Sequence, residues 1–392
     1  MSPTNRYFGR LAELSWYVNA ERRTTEHGCR SCSGQSGHVV LDLGKQPACD
    51  HFPKYDDPGP DPVYPLQMWL CSSCGLAQLL EDPTVPEEPR GAEPAALVAQ
   101  AEDAVGRVAA AGLLPPGARV AEYGSPHGGS WLGLLAARGL VPVSDGQADI
   151  ILDCFGLMHA SDQAAALAER AARLAPGGVL LLQYHSLLSI VNGGQWNALR
   201  HGHYAYYSTT ALTKMLGEAG LVPRMSWQFG LYGGTVLLAA RREADGGRSG
   251  PDKSVMVLLA SEAGAHIRDH RSVGGLQRHV SARADALRDW LTAMRRAGRT
   301  VLGYSAASRA VALLQMAGVD RDLLPAVADS SPAKHGLRMP GTGIEVISPE
   351  ELVARRPDSV LLFVSDLMPE VRAAYPEIEA SGAYWVDADL LG

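Results

Sequence analysis

Hydrophobic positions change period along this chain, and each change marks an element. From position 97 the apolar residues Leu97, Ala101, Ala104, Val105 and Val108 recur at helical spacing on one face. Pro115, Pro116 and Gly117 end that helix. An apolar run over 118–123 follows, then a turn from Gly124 to Gly129 and a helical stretch over 130–138. Strand, glycine turn and helix in that order open a doubly wound α/β unit. Residues 149–153 and 179–184 read as further strands around a helix over 162–174, which Pro176, Gly177 and Gly178 stop. This alternation predicts a parallel sheet, closing near 233–239.

A break at 243–251 (EADGGRSGP) precedes helices that run to about position 296. A second strand-turn-helix unit begins at 300–304, with its turn at 305–309 and later strands near 324–328, 344–347, 359–364 and 384–386. A Pro/Glu-rich stretch, EDPTVPEEPRGAEP, sets the first α/β unit apart from what precedes it. The predicted fold class is therefore α/β. A small four-cysteine lobe with an N-terminal arm (1–88) is followed by two Rossmann-like domains (95–242 and 252–392). Residues 1–25 read as a short helix or arm.

Composition narrows the function classes. A chain of 392 residues, 46% hydrophobic, is long enough for two or three cores. A net charge of −7 without a long basic block argues against nucleic acid as a partner. No apolar run approaches the roughly 20 residues that span a bilayer, and the N-terminal residues lack the apolar centre of a signal peptide. The expectation is a cytoplasmic protein with a small-molecule substrate and no membrane partner, its oligomeric state left open.

Six cysteines are too few for a disulfide scaffold in a chain this long. Four of them fall in two C-x-x-C pairs, Cys29 with Cys32 and Cys71 with Cys74. Each pair sets two thiolates on one side of a turn, and two such turns complete a tetrahedral Zn²⁺ shell. A closed shell of four thiolates leaves no open position, so the expected metal is structural. Cys49 and Cys154 read as buried small side chains.

The turn Gly124–Gly129 brings backbone to a helix N-terminus, where a cofactor could approach. Asp145 is the only acidic residue between the strand near 139–143 and Asp149, and Asp153 is the other candidate for a ribose ligand. The densest chemistry lies just beyond the strand that ends at Tyr184 and His185. Arg200, His201, His203, Tyr204, Tyr206 and Tyr207 fall within eight positions there. Histidine is the side chain best suited to proton transfer near neutral pH, so this reads as an active-site segment.

In this order, the pieces resemble the zinc-containing C-methyltransferases of deoxysugar pathways in antibiotic biosynthesis. The resemblance rests on the four cysteines, Leu43-Gly44 with Pro47, and Tyr64-Pro65-Leu66 before the second pair. It continues through Glu122-Tyr-Gly124-Ser125, His201-Gly-His203 with Tyr207-Ser208, and Gly233-Gly-Thr235. In the last domain it rests on Gly303-Tyr304, the run from Asp329 to Gly336, Pro340-Gly341 and Ser348-Pro-Glu350. The resemblance implies that the middle domain binds S-adenosylmethionine through Glu122, Gly124, Ser125 and Gly128, with Asp153 as ribose ligand. The two Rossmann-like domains would enclose a nucleotide-linked keto-sugar. His203 would be the base that forms a carbanion or enolate, accompanied by His201, Tyr204 and Arg200.

The chain also departs from the family pattern. Pro126 and His127 replace an Asn-Asp pair, Gly202 stands in place of glutamate, and Arg200 in place of tyrosine. Ser305 and Arg309 replace glycine and lysine, and the segment expected to carry the ribose ligand is absent. A second reading is therefore an isomerase, lyase or cyclase on this scaffold that has lost methyl transfer. A third is a non-catalytic scaffold or partner protein.

Overall fold

Period-two alternation in the N-terminal lobe feeds two cores at once. The computed structural model describes residues 28–84, 93–125, 129–242 and 250–391. The expected N-terminal arm and Gly128 lie outside the described residues. Strands β1 (Gly37–Pro47), β2 (Val63–Cys71) and β3 (Ala77–Leu79) pair antiparallel in that order. A fourth strand, β8 (Ala205–Tyr206), comes from the middle of the chain and pairs with β3. In β2, Leu66, Met68 and Leu70 enter one core while Trp69 and Cys71 enter another. The first core also holds residues of the C-terminal part such as Leu287, Val311 and Leu361, and the second holds Ile151 and Leu182 of the central part. The lobe is thus a wedge between the two larger units.

The central sheet contains β4 (Arg119–Gly124), β5 (Val141–Pro142), β6 (Ala148–Cys154), β7 (Leu174–His185), β9 (Leu221–Phe229) and β10 (Thr235–Arg242). Its order is β5-β4-β6-β7-β10-β9. Alternate residues of β7 separate cleanly: Val179 and Leu181 face one core, Leu180, Leu182 and Tyr184 the other. Both faces are covered, so these strands read in sequence as unbroken apolar runs. Helices α1 (Ala95–Ala110) and α2 (Leu132–Ala136) cover the first face, and α3 (Gln163–Arg173) and α5 (Thr209–Glu218) the second. A short helix, α4 (Leu187–Asn192), follows β7.

The sheet is not wholly parallel as expected. β10 runs antiparallel to both β7 and β9. Only five residues join β9 to β10, and a parallel crossover needs a dozen or more. Nor do Pro176, Gly177 and Gly178 separate helix from strand. β7 already begins at Leu174 and runs through them. A Cβ at Gly178 would stand 2.7 Å from the Asp149 carbonyl oxygen, so this close passage alongside β6 requires glycine.

Helices α6 (Lys253–Gly264), α7 (His270–Val273) and α8 (Leu276–Arg296) lead to the C-terminal sheet. Strands β11 (Val301–Tyr304), β12 (Ala326–Ala328), β13 (Glu345–Ile347), β14 (Ser359–Leu362) and β15 (Tyr384–Asp387) are all parallel, in the order β13-β12-β11-β14-β15. Helices α9 (Ser308–Ala317), α10 (Pro349–Arg355), α11 (Met368–Ala374) and α12 (Pro376–Ala380) connect them. No described helix is long and apolar enough to cross a membrane.

Candidate active site

Parallel strands place ligand sites beyond their C-terminal ends, and here two sheets turn those ends toward one cavity. Ser125 after β4, Phe155 after β6 and His185 at the end of β7 form one wall. Tyr304 at the end of β11, Asp329 after β12 and Val364 after β14 form the other. The space between measures about 370 Å³.

The histidine-rich segment runs along its floor, fixed from both sides. β8 pairs with β3 of the cysteine lobe, and Ser186 bridges to Tyr207 in the parallel sense. Gly202 has a φ of +80°, which favours glycine, and its N–H donates to Asp82 Oδ2 at 2.6 Å. The turn presents His203 to the cavity, 6% exposed. Its ring meets that of His159 edge to face, with centroids 4.7 Å apart. His159 stands on the short turn after β6, and its Nδ1 lies 2.9 Å from the Gly202 carbonyl oxygen. That contact sets the tautomer, with Nδ1–H donating and the lone pair on Nε2. Arg200 Nε donates to His203 Nε2 at 2.9 Å, and Arg200 Nη1 donates to Ser308 Oγ on α9.

Other expected site residues lie elsewhere. His201 is buried away from the cavity. Its Nε2 pairs with the Pro65 carbonyl oxygen at 3.2 Å, and burial lowers its proton affinity. Tyr204 turns toward the lobe, where the Arg30 guanidinium lies 4.8 Å over its ring. Asp153 has no solvent contact. It is ion-paired with Arg170 Nε at 2.5 Å and accepts the N–H groups of Gly156 and Leu157. Burial nevertheless pushes its carboxyl above the ordinary range. Glu122 accepts Ser130 Oγ–H and Trp131 N–H, so it braces the turn after β4 rather than facing a ligand.

Several cavity groups were not singled out as site residues from the sequence. They are His159, His185, Ser308, Arg309, Asp329 and Lys334. His185 Nε2 lies 3.1 Å from Gln195 Oε1, and desolvation, then the charge of Arg309, lowers its pKa to about 3. Lys334 is 4% exposed and donates to the Ala306 carbonyl at 2.9 Å. Arg309 lies 5.7 Å over the Tyr232 ring. With Arg200, these two groups give the cavity three cations. An imidazole pair beside such donors can take a proton from carbon next to a carbonyl and stabilise the developing oxyanion.

The four paired cysteines do come together. Their Sγ atoms all lie within 4.8 Å of one another, with Cys29–Cys74 at 3.4 Å and Cys32–Cys71 at 3.7 Å. Tetrahedral zinc with thiolates at about 2.3 Å places sulfurs about 3.8 Å apart, so the donor set fits that ion. None of the six cysteines is in a disulfide. The surroundings of β4 fit S-adenosylmethionine less well. Ser125 reaches the cavity, yet neither Glu122 nor Asp153 offers its carboxylate to a ribose.

Sequence comparison adds matches over most of the chain. A zinc binding domain family matches residues 29–88, a methyltransferase domain family 98–224, and a C-methyltransferase C-terminal domain family 230–388. The chain is 26% identical to C-methyltransferase NovU of Streptomyces niveus over 221 residues. That alignment covers 56% of this chain and 51% of the relative, so it spans about half of that protein's length. Among solved structures, the Synechocystis magnesium protoporphyrin IX methyltransferase with bound SAH is 13% identical, with a TM-score of 0.28 and coverage of 38% of this chain and 84% of that one. The Burkholderia thailandensis 1,6-didemethyltoxoflavin-N1-methyltransferase is 17% identical, with a TM-score of 0.26 and coverage of 43% and 95%.

Proposed function

We propose, from the premise that this chain belongs to the zinc-containing C-methyltransferase family, that it forms an enolate from an anionic ketone substrate of antibiotic-type metabolism. The substrate class that suits the cavity is a nucleotide-linked keto-sugar, whose phosphates would meet Arg309 and Lys334. One observation carries the reading: His203 and His159 stand edge to face where the C-terminal ends of both sheets meet.

His203 is the proton acceptor in this reading. Substrate draws the Arg200 guanidinium away from Nε2, which frees the lone pair and brings a donor to the enolate oxygen. His159, its tautomer set by the Gly202 carbonyl, orients the partner ring and is the second acid–base group. Zinc held by Cys29, Cys32, Cys71 and Cys74 would stabilise the lobe to which β8, and so His203, is tied.

S-adenosylmethionine, where bound, supplies an electrophilic methyl group for the carbanion. The missing ribose carboxylate favours a second reading, in which the enolate is quenched by a proton or by loss of a leaving group. Isomerisation, elimination or cyclisation would result. The experiment follows solvent deuterium into a nucleotide-linked keto-sugar. His203→Ala and His159→Ala should each lower exchange at least a hundredfold; wild-type exchange in both would remove the assignment. Calorimetry showing no heat with millimolar S-adenosylmethionine would exclude methyl transfer.

A further inference from the structure

Four tyrosines line the cavity, and three of their hydroxyls are already engaged. The Tyr206 hydroxyl accepts Arg200 N–H at 3.0 Å, and those of Tyr304 and Tyr375 meet at 3.5 Å. The hydroxyl of the fourth, Tyr232, makes no hydrogen bond among the described residues. A phenol taken out of water usually has a partner, so this one points to a ligand atom.

The backbone around Tyr232 is built to hold it there. It lies in the turn that joins β9 to β10, at φ +56° and ψ +28°, a left-handed conformation that a β-carbon opposes. Such strain persists only where the surroundings impose it. Here Asp366 Oδ2, beyond β14, accepts Tyr232 N–H at 2.8 Å, and Thr235 Oγ1 donates to the Leu231 carbonyl at 2.9 Å. The turn is pressed onto α4, where a Cβ at Gly234 would stand 2.4 Å from Ser189 Cβ. Six described residues other than glycine have a positive φ, and three of them, Phe155, Tyr232 and Ser305, line this one cavity. The strain is concentrated where a ligand would sit.

The ring is held on three sides. Phe155 meets it edge to face with centroids 5.9 Å apart, His185 lies tilted at 6.5 Å, and the Arg309 guanidinium covers it at 5.7 Å. Burial, acting against the charges of Arg309 and Arg200, raises the phenol's pKa above its ordinary value of 10. The group therefore keeps its proton near neutral pH and is a donor rather than a base.

We propose that Tyr232 is a second oxyanion donor of the enolate-forming step, its O–H donating to the carbonyl oxygen of the substrate while His203 takes the proton from the adjacent carbon. This rests on the reading of His203 as proton acceptor from a ketone. The C–H electron pair becomes the enolate, the charge moves to the oxygen between Arg200 and Tyr232, and the phenol keeps its proton. A deuteron that His203 acquires from solvent returns to carbon and completes the exchange.

Tyr232→Phe removes only the hydroxyl. The ring, its strained backbone and the Asp366 contact remain, so Tm should not move. On the full zinc-loaded chain, with UDP-4-keto-6-deoxyglucose as the probe, kcat for deuterium exchange should fall about a hundredfold and KM should change less than about threefold. Infrared spectra of the bound probe, ¹³C-labelled at the ketone, should place the carbonyl stretch at higher frequency in Tyr232→Phe than in the wild type. A packing role would move neither. Wild-type kcat, a loss confined to KM, or an unmoved stretch would each overturn the proposal. Exchange lost in His203→Ala yet kept in Tyr232→Phe leaves the enolate reading standing without this donor. A stretch that moves as expected in a protein that exchanges no deuterium does the reverse.

Discussion

Arg200 Nε donates to His203 Nε2 across 2.9 Å while Arg200 Nη1 donates to Ser308 Oγ, so one side chain joins His203, the proposed proton acceptor, to helix α9 of the C-terminal sheet. A planar fork does both from two nitrogens at fixed spacing, whereas an ammonium would have to reach both acceptors from one nitrogen. Arg200→Ala is expected to lower kcat for deuterium exchange about a hundredfold and to raise KM for the anionic substrate. Arg200→Lys should recover KM but little of kcat. Unchanged kcat in both variants would show that this bridge is only a structural tie.

The cysteine cluster and the histidine-rich segment share a sheet, because β3 follows the second cysteine pair and accepts β8. Metal loss should therefore be felt at His203. Metal analysis is expected to return about one zinc per chain. Cys71→Ser should abolish that zinc, lower Tm and reduce exchange in parallel. A variant that loses zinc yet keeps Tm and activity would contradict the structural role.

The features legible in the sequence are those set locally. Cys-x-x-Cys spacing fixes a knuckle within four residues, and the glycine turns follow strands whose apolar runs mark a doubly covered sheet. The four cysteines duly meet. What the spacing could not carry is long-range pairing. Nothing near Ala205 and Tyr206 announces that they add a strand to a lobe more than a hundred residues earlier. His159, Arg309 and Lys334 reach the cavity from three segments far apart in the chain, and no local pattern says that they meet. Asp153 shows a second limit of local reading. Its position at a strand end suits a ligand, yet Arg170 on α3 neutralises it from seventeen residues away.

That pair makes its own prediction. With the side chains 7% and 0% exposed, Arg170→Ala would leave a carboxylate without its counter-charge in the interior. A loss of about 3–5 kcal/mol of stability is expected, read from urea denaturation. Asp153→Asn should cost less, because an amide oxygen still accepts the N–H groups of Gly156 and Leu157. If Asp153 were instead a ribose ligand, Asp153→Asn would change adenosyl-ligand affinity with little change in stability.

His185 gives the fold a pH dependence whose sign is fixed by its surroundings. In the folded chain, desolvation and the nearby Arg309 guanidinium lower its pKa to about 3, whereas an unfolded histidine titrates near 6.5. Between those values the unfolded chain binds the extra proton, so stability falls as pH falls through that window. The slope approaches 1.4 kcal/mol per pH unit for one proton, which amounts to about 2 kcal/mol between pH 7 and pH 5. His185→Gln cannot take up that proton and keeps a hydrogen-bonding group near Gln195. Its stability, measured by urea denaturation without ligand, should fall less than that of the wild type over this range, by about that amount. Parallel losses in the two proteins would mean that His185 is already protonated in the fold at pH 5, and that desolvation and the Arg309 charge do not hold it neutral.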